Sequence, residues 1–132
     1  MRYLLDTNIC IAFFKNHPTV IEKIRTIGIE NLLLCSPVKA ELWYGACKSE
    51  RTTANKIILQ EFFTQFSSLA FNDEVIEQYG EIRAFLAKSG NIIGANDLLI
   101  AAIATTHQTT LVTHNVREFK RVPNLIIDDW LA

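Results

Sequence analysis

The chain has 132 residues, 49% of them hydrophobic and 20% charged, and its 13 Lys plus Arg against 14 Asp plus Glu give a formal net charge of −1. That length suits one compact domain over residues 1–132, and that apolar share fills a core, which excludes a disordered tail. The charge excludes a basic nucleic-acid coat and an acidic solvating tail, so any cationic surface has to be local.

Tyr3-Leu4-Leu5 reads as a short buried strand closed by Asp6-Thr7-Asn8, after which Ile9 to Phe14 begins a helix. A second helix starts at Pro18, carries Val20, Ile21, Ile24 and Ile27 at helical spacing, and stops at Gly28. Leu32 to Cys35 is another buried strand. Ser36 is then an N-cap with Pro37 behind it, opening a helix through Ala46. Thr52 or Thr53 caps the next helix, which runs to Gln65, and Ser67 to Phe71 is a weaker strand. Asn72 caps a long helix with the stripe Val75, Ile76, Tyr79, Ile82, Phe85 and Leu86, ended by Gly90. Ala95 to Thr106 is a helix apolar almost all round, and Thr110 to Thr113 and Leu125 to Ile127 complete the strands. No repeat or linker interrupts them. Continuously apolar strands alternating with helices predict an α/β fold, a parallel sheet with helices on both faces.

Cys10, Cys35 and Cys47 are odd in number and contain no C-x-x-C, which argues against disulfides and thiolate zinc and fits a reducing compartment. His17, His107 and His114 show no metal-binding spacing. The longest apolar run, Leu98 to Ala104, is too short to span a membrane, and the stretch from Arg2 to Asp6 is no secretory leader. A cytoplasmic protein with no membrane partner is expected.

In parallel sheets of this kind ligands bind beyond the carboxyl ends of the strands. Asp6 stands there, although an Asp in a strand-to-helix turn is most often a helix cap. Glu41 falls three residues after Val38 on the inward stripe of its helix, where a carboxylate needs a partner: a salt bridge, or something less ordinary. Asp97 opens the most apolar helix, where a capping or dipole role competes with chemistry and Gly94 suggests close approach. Three such acids around one sheet edge repel unless a cation lies between them, and all-oxygen ligands suit Mg²⁺ or Mn²⁺. Metal-assisted hydrolysis needs no side-chain nucleophile, which fits a chain without a Ser-His-Asp or Cys-His arrangement.

Leu5-Asp6-Thr7-Asn8, Val38-Lys39-Ala40-Glu41-Leu42, Ile93 to Ala102 with Asn96-Asp97, and Thr113-His114-Asn115-Val116-Arg117-Glu118-Phe119 resemble, in order, the four motifs of PIN-domain nucleases. The chain is most similar to the VapC toxins of bacterial toxin–antitoxin pairs, from residue 3 to Asp129-Trp130. The resemblance implies a PIN-like fold, a pocket for one or two divalent metals, a homodimer, and metal-dependent cleavage of RNA. It also implies a VapB-type antitoxin docked across the acidic groove through a basic side chain. Asp6, Glu41 and Asp97 match the main acids, with Glu41 acting directly or through water. Asn8 and Thr113 match positions that orient acids by hydrogen bonding. Asn115 stands where a fourth acid is usual, which puts a second metal in question, and Glu118 is the nearest acid able to compensate.

Arg117, Lys120 and Arg121 form the best cationic cluster for RNA, with Lys48, Arg51, Arg83 and Lys88 as further cations; for each, a solvated surface position competes. Phe13, Phe14, Trp43, Tyr44, Phe62 and Phe63 either pack the core or line a dimer face or partner groove. The subgroup resembles enzymes acting on initiator tRNA at the anticodon loop, with another tRNA or a ribosomal RNA loop as alternatives. The alternative from another class is a PIN-like module that has lost catalysis through Asn115 and only binds a partner.

Overall fold

The computed structural model describes all residues, 1–132. Five short strands, β1 (Tyr3–Leu5), β2 (Leu32–Cys35), β3 (Ser67–Leu69), β4 (Thr110–Val112) and β5 (Ile126–Asp128), form one sheet in the order β3-β2-β1-β4-β5. Every pairing is parallel, with Tyr3 opposite Leu32 and Thr110, and Val112 opposite Asp128. The chain winds outward from β1 to β3, then returns to the other side of β1 for β4 and β5. That reversal leaves a crevice at the carboxyl ends of β1 and β4, where such sheets bind ligands.

Seven helices make the crossovers: α1 (Thr7–Phe14), α2 (Pro18–Ile27), α3 (Ser36–Cys47), α4 (Thr52–Thr64), α5 (Ile76–Lys88), α6 (Ala95–Thr106) and α7 (Val116–Phe119). The core runs through Leu4, Leu5, Leu34, Val38, Ile100 and Leu111, all fully or almost fully buried. Helix α6 is buried from Ile100 through Ala104, as its all-round apolar sequence requires. Gly28 ends α2 at φ +90, and a side chain there would collide with the Glu30 carboxylate.

The helix starts differ from the sequence reading, because caps and turns are set by partners distant in sequence. Helix α1 begins at Thr7, since Asp6 itself accepts from the Thr7 amide. Ser36 lies inside α3 rather than capping it, and its hydroxyl accepts from the Phe71 amide, 35 residues away in the chain. Arg51, not a threonine, is the α4 cap position; the Thr52 hydroxyl turns back to the Ser49 carbonyl. Asn72 does cap, but it caps a 3-10 turn, Asp73–Val75, ahead of α5. Ile76 and Phe85 are exposed on the flanks of the α5 stripe, while Val75, Ile82 and Leu86 are buried. Strand β5 sits one residue later than expected and β3 ends at Leu69 rather than Phe71.

The aromatic residues mostly satisfy one another. Phe62 is buried and packs against Phe13, Phe14, Phe63 and Phe66, while Trp43 is half-buried. Only Tyr44 of the six expected at a dimer face or groove stands exposed.

Candidate active site

Asp6 follows β1 and is only 5% exposed. One carboxylate oxygen caps α1 by accepting from the Thr7 amide at 2.8 Å, and the other accepts from the Thr113 hydroxyl at 2.6 Å. The capping and site readings of Asp6 are therefore compatible, one oxygen to each. Thr113 stands just past β4, fully buried, and its oxygen also accepts from the Asn115 amide at 3.0 Å. Burial pushes the Asp6 carboxyl above its ordinary value against the lowering effect of the Thr113 and Thr7 hydrogen bonds; Glu41 and Glu118 push the same way as burial.

Asp97 lies in the first turn of α6, but the cap position is Gly94 and the helix has no side-chain cap, so the capping reading fails. Its Oδ2 accepts from the Asn115 side-chain amide at 3.3 Å. Burial, then the charge of Asp6, then Glu118 and Glu41, push its carboxyl up to about 7. Gly94 is not needed for close approach, since a Cβ there would meet Asp97 Oδ2 at an ordinary 3.5 Å. Its contribution is its amide, which donates to Glu118 Oε1 at 3.1 Å.

Glu118 turns inward. Its Oε2 accepts from the Asn115 side chain at 2.6 Å, and that bond, with the Gly94 amide and nearby Arg121, holds its carboxyl below its ordinary value against partial burial. Asn115 thus works as a double donor between Asp97 and Glu118. Its amide nitrogen faces the acids.

Glu41 corrects the sequence reading in one respect: it is exposed, not buried. Its Oε1 accepts from the Asn96 side chain, so the residue beside Asp97 ties α3 to α6. Asn96 is the residue that spacing missed, although its polarity beside Asp97 in so apolar a helix was the available signal. Asn8 also differs from expectation: it accepts from the His114 amide at 3.3 Å and pins the turn after β4 instead of a carboxylate. Arg117 and Lys120 are exposed, while Arg121 is engaged with the Ile92 carbonyl at 3.0 Å.

Asp6, Asp97, Glu118 and Glu41 come from four different elements, and the charges of Glu41 and Glu118 add to the burial that raises the Asp6 and Asp97 carboxyls. No three His, Cys, Asp or Glu side chains stand together closely enough to hold one ion by themselves. An open set of oxygens suits Mg²⁺, which keeps several waters and takes one or two carboxylates plus substrate phosphate. Crowded anions with raised proton affinity fit a hard divalent cation on the same argument. Beside Glu41 a cleft of about 430 Å³ opens between α1, α3 and α4, lined by Ile11, Phe14, Leu42, Ile58 and Leu59. Thr7 also lines it, and its buried hydroxyl has no hydrogen-bond partner in the chain.

A parallel α/β domain with carboxylates gathered at its sheet reversal belongs to the class of α/β proteins that bind ligands at the carboxyl ends of the strands. The PIN domain family model matches residues 3–125. Ribonuclease VapC2 of Rickettsia felis is 41% identical, with 98% of each chain covered, and the tRNA(fMet)-specific endonuclease VapC of Salmonella typhimurium is 34% identical with the same coverage. A crystal structure of R. felis VapBC2 bound to a promoter DNA fragment superposes with TM-score 0.92 at 40% identity, covering 98% of this chain and 99% of that one. VapBC-1 of nontypeable Haemophilus influenzae gives 0.89 at 34% identity, with both chains covered completely. The chain belongs to the PIN-domain family, in its VapC branch.

Proposed function

We propose that this chain is a metal-dependent endoribonuclease, the toxin of a toxin–antitoxin pair, whose substrate is initiator tRNA cut in the anticodon loop. The observation that carries the proposal is the convergence of Asp6, Glu41, Asp97 and Glu118 at one crevice, with Thr113, Asn115 and Asn96 as their donors. The similarity to ribonuclease VapC2 and to a tRNA(fMet)-specific endonuclease VapC supports the reaction and the substrate.

Asp6 and Asp97 would hold the divalent ion, with Glu41 and Glu118 bordering it. When bound, Mg²⁺ or Mn²⁺ supplies neutralisation of phosphate charge and a water acidic enough to ionise near neutral pH. The chain's own contribution is orientation. Thr113 fixes Asp6, Asn115 fixes Asp97 and Glu118, and Asn96 fixes Glu41. No cysteine competes as nucleophile inside: burial pushes the Cys35 thiol up to about 12 and raises Cys10 as well. Asn115, as a donor to the acids, is a working part of the site, which weighs against the non-catalytic module.

The apolar cleft ending at Glu41 suits an antitoxin segment with apolar residues and a cation reaching the acids. Structural neighbours are described as VapBC complexes, which supports that partner. Exposed Phe85 on α5 and Ile92 beyond its end are apolar side chains available to a homodimer contact. No helix is long and apolar enough to cross a membrane, and three free cysteines fit a cytoplasmic location.

Incubating the purified chain with total tRNA and Mg²⁺, then sequencing the new ends, tests the proposal. Ends confined to the initiator anticodon loop are expected. Ends in another RNA would replace the substrate, and no cleavage of any RNA would overturn the nuclease reading.

A further inference from the structure

Three residues beyond Glu41, on the same face of α3, stands Tyr44. Its ring is 64% exposed, more than any other aromatic side chain of the chain. Lys48, one turn further along, sets its ammonium 4.9 Å from the ring centroid. An aromatic ring held in water by a cation from its own helix contributes nothing to the core.

Two other lysine–aromatic pairs occupy the same helical hairpin and explain themselves differently. Lys39 of α3 lies over Phe63 of α4, and Lys56 of α4 lies over Trp43 of α3, so both pairs join the two helices. Phe63 and Trp43 are half-buried. Trp43 also points away from the acids, two residues and about 200° round the helix from Glu41, whereas Tyr44 is only about 60° away. Tyr44 and Lys48 therefore follow Glu41 along one face of α3 without joining the two helices.

The charges nearby narrow what this pair can bind. Asp6, Glu41, Asp97 and Glu118 oppose a polyanion, so RNA has to be held by cations and by uncharged contacts outside the acid cluster. Lys48 and Arg51 against Glu50 leave the end of α3 net cationic. An exposed ring with a cation on one face accepts a nucleobase on the other, because every base has a π-face.

We propose that Tyr44 and Lys48 form a nucleotide subsite beside the scissile phosphate: an unpaired base stacks on Tyr44, and Lys48 meets the adjoining phosphate. This rests on the ribonuclease reading above. It confines cleavage to loops, since only an unstacked base can swing onto the ring.

The probe is a fluorescein-labelled anticodon stem-loop of initiator tRNA, bound to the full chain in EDTA so that no turnover intervenes. Tyr44→Ala should weaken binding by about tenfold, equal to about 1.4 kcal/mol. With Mg²⁺ the same loss should fall on KM rather than kcat. Tyr44→Phe should restore binding, because the ring and not the hydroxyl is used. Lys48→Gln should weaken binding and reduce the dependence of log Kd on log salt by about one counterion. Lys56→Gln, on the packing side of the hairpin, should bind as the parent does. Unchanged RNA binding by Tyr44→Ala would overturn the subsite. So would a loss accompanied by conversion of a dimer to a monomer in sedimentation, or a loss confined to antitoxin binding, either of which makes Tyr44 a protein contact. A parent chain that binds and cuts no RNA would overturn the ribonuclease reading itself.

Discussion

The seam between β1 and β4 and the hairpin of α3 and α4 each bring a carboxylate to one crevice, and they hold it in opposite ways. Asp6 is buried at the seam, with both oxygens hydrogen-bonded and its orienting Thr113 buried beside it. Glu41 is exposed on the hairpin and held by Asn96 alone. Around Asp6 lie core strands; around Glu41 lie an open cleft and the exposed side chains of Tyr44, Ile57 and Ile58. Under the proposed function, the difference gives rigid positioning to the seam and recognition to the hairpin, as expected where a fixed scaffold presents an adaptable surface.

The largest effect should come from the acids themselves. Asp6→Asn or Asp97→Asn should lower RNA cleavage by about a thousandfold while the chain stays folded, measured by single-turnover kinetics beside circular dichroism. Thr113→Val comes next. It keeps the shape but leaves Asp6 and the Asn115 amide short of a partner, so activity should fall by about 10–100-fold and stability by about 1–3 kcal/mol in urea. Asn96→Ala is the matching change on the hairpin. It should cost less than about tenfold in activity and leave stability within about 0.5 kcal/mol, because Glu41 remains in water. Equal penalties for the two variants would erase the contrast between seam and hairpin.

Much of this was legible in the sequence, and what was not has a common cause. Strands, crossovers and the sites of Asp6 and Asp97 follow from apolar runs broken by acids, a local pattern. That Glu118 turns inward, that Asn115 donates to two carboxylates, and that Asn96 reaches Glu41 all depend on how α3, α6 and α7 approach across the sheet. Spacing along one helix carries no record of that approach. Glu41 shows the limit most clearly: the helix and its stripe were right, yet an open crevice at the sheet edge leaves the residue exposed on what reads as an inward position.

A smaller effect is the dependence of stability on pH. The folded Asp97 carboxyl titrates near 7, above its ordinary 3.8, so the folded state holds that proton more tightly than the unfolded chain. Metal-free stability should then be greatest on the acid side, fall as pH rises through that window, and stay low above it. Asp97→Asn should flatten the decline and raise the metal-free melting temperature at pH 8 by roughly 2–5 °C. A parent chain whose metal-free melting temperature climbs from pH 5 to pH 8 would contradict the crowding of the acids.

The smallest expected change in fold, with a large one in binding, is Ile58→Glu on the cleft wall. The side chain is 53% exposed, so stability and RNA cleavage should hold while antitoxin affinity falls. Fluorescence titration with the antitoxin reads it.

The central claim is that the acids at the seam gather a divalent ion for RNA cleavage, and a calorimetric titration of Mn²⁺ into the parent chain and Asp97→Asn, paired with cleavage of one tRNA in Mn²⁺ and in EDTA, tests it most directly. The account predicts saturable binding and metal-dependent cutting by the parent, and neither by the variant. Cutting in EDTA at the same rate, or Mn²⁺ binding and cleavage by Asp97→Asn equal to the parent's, would contradict it.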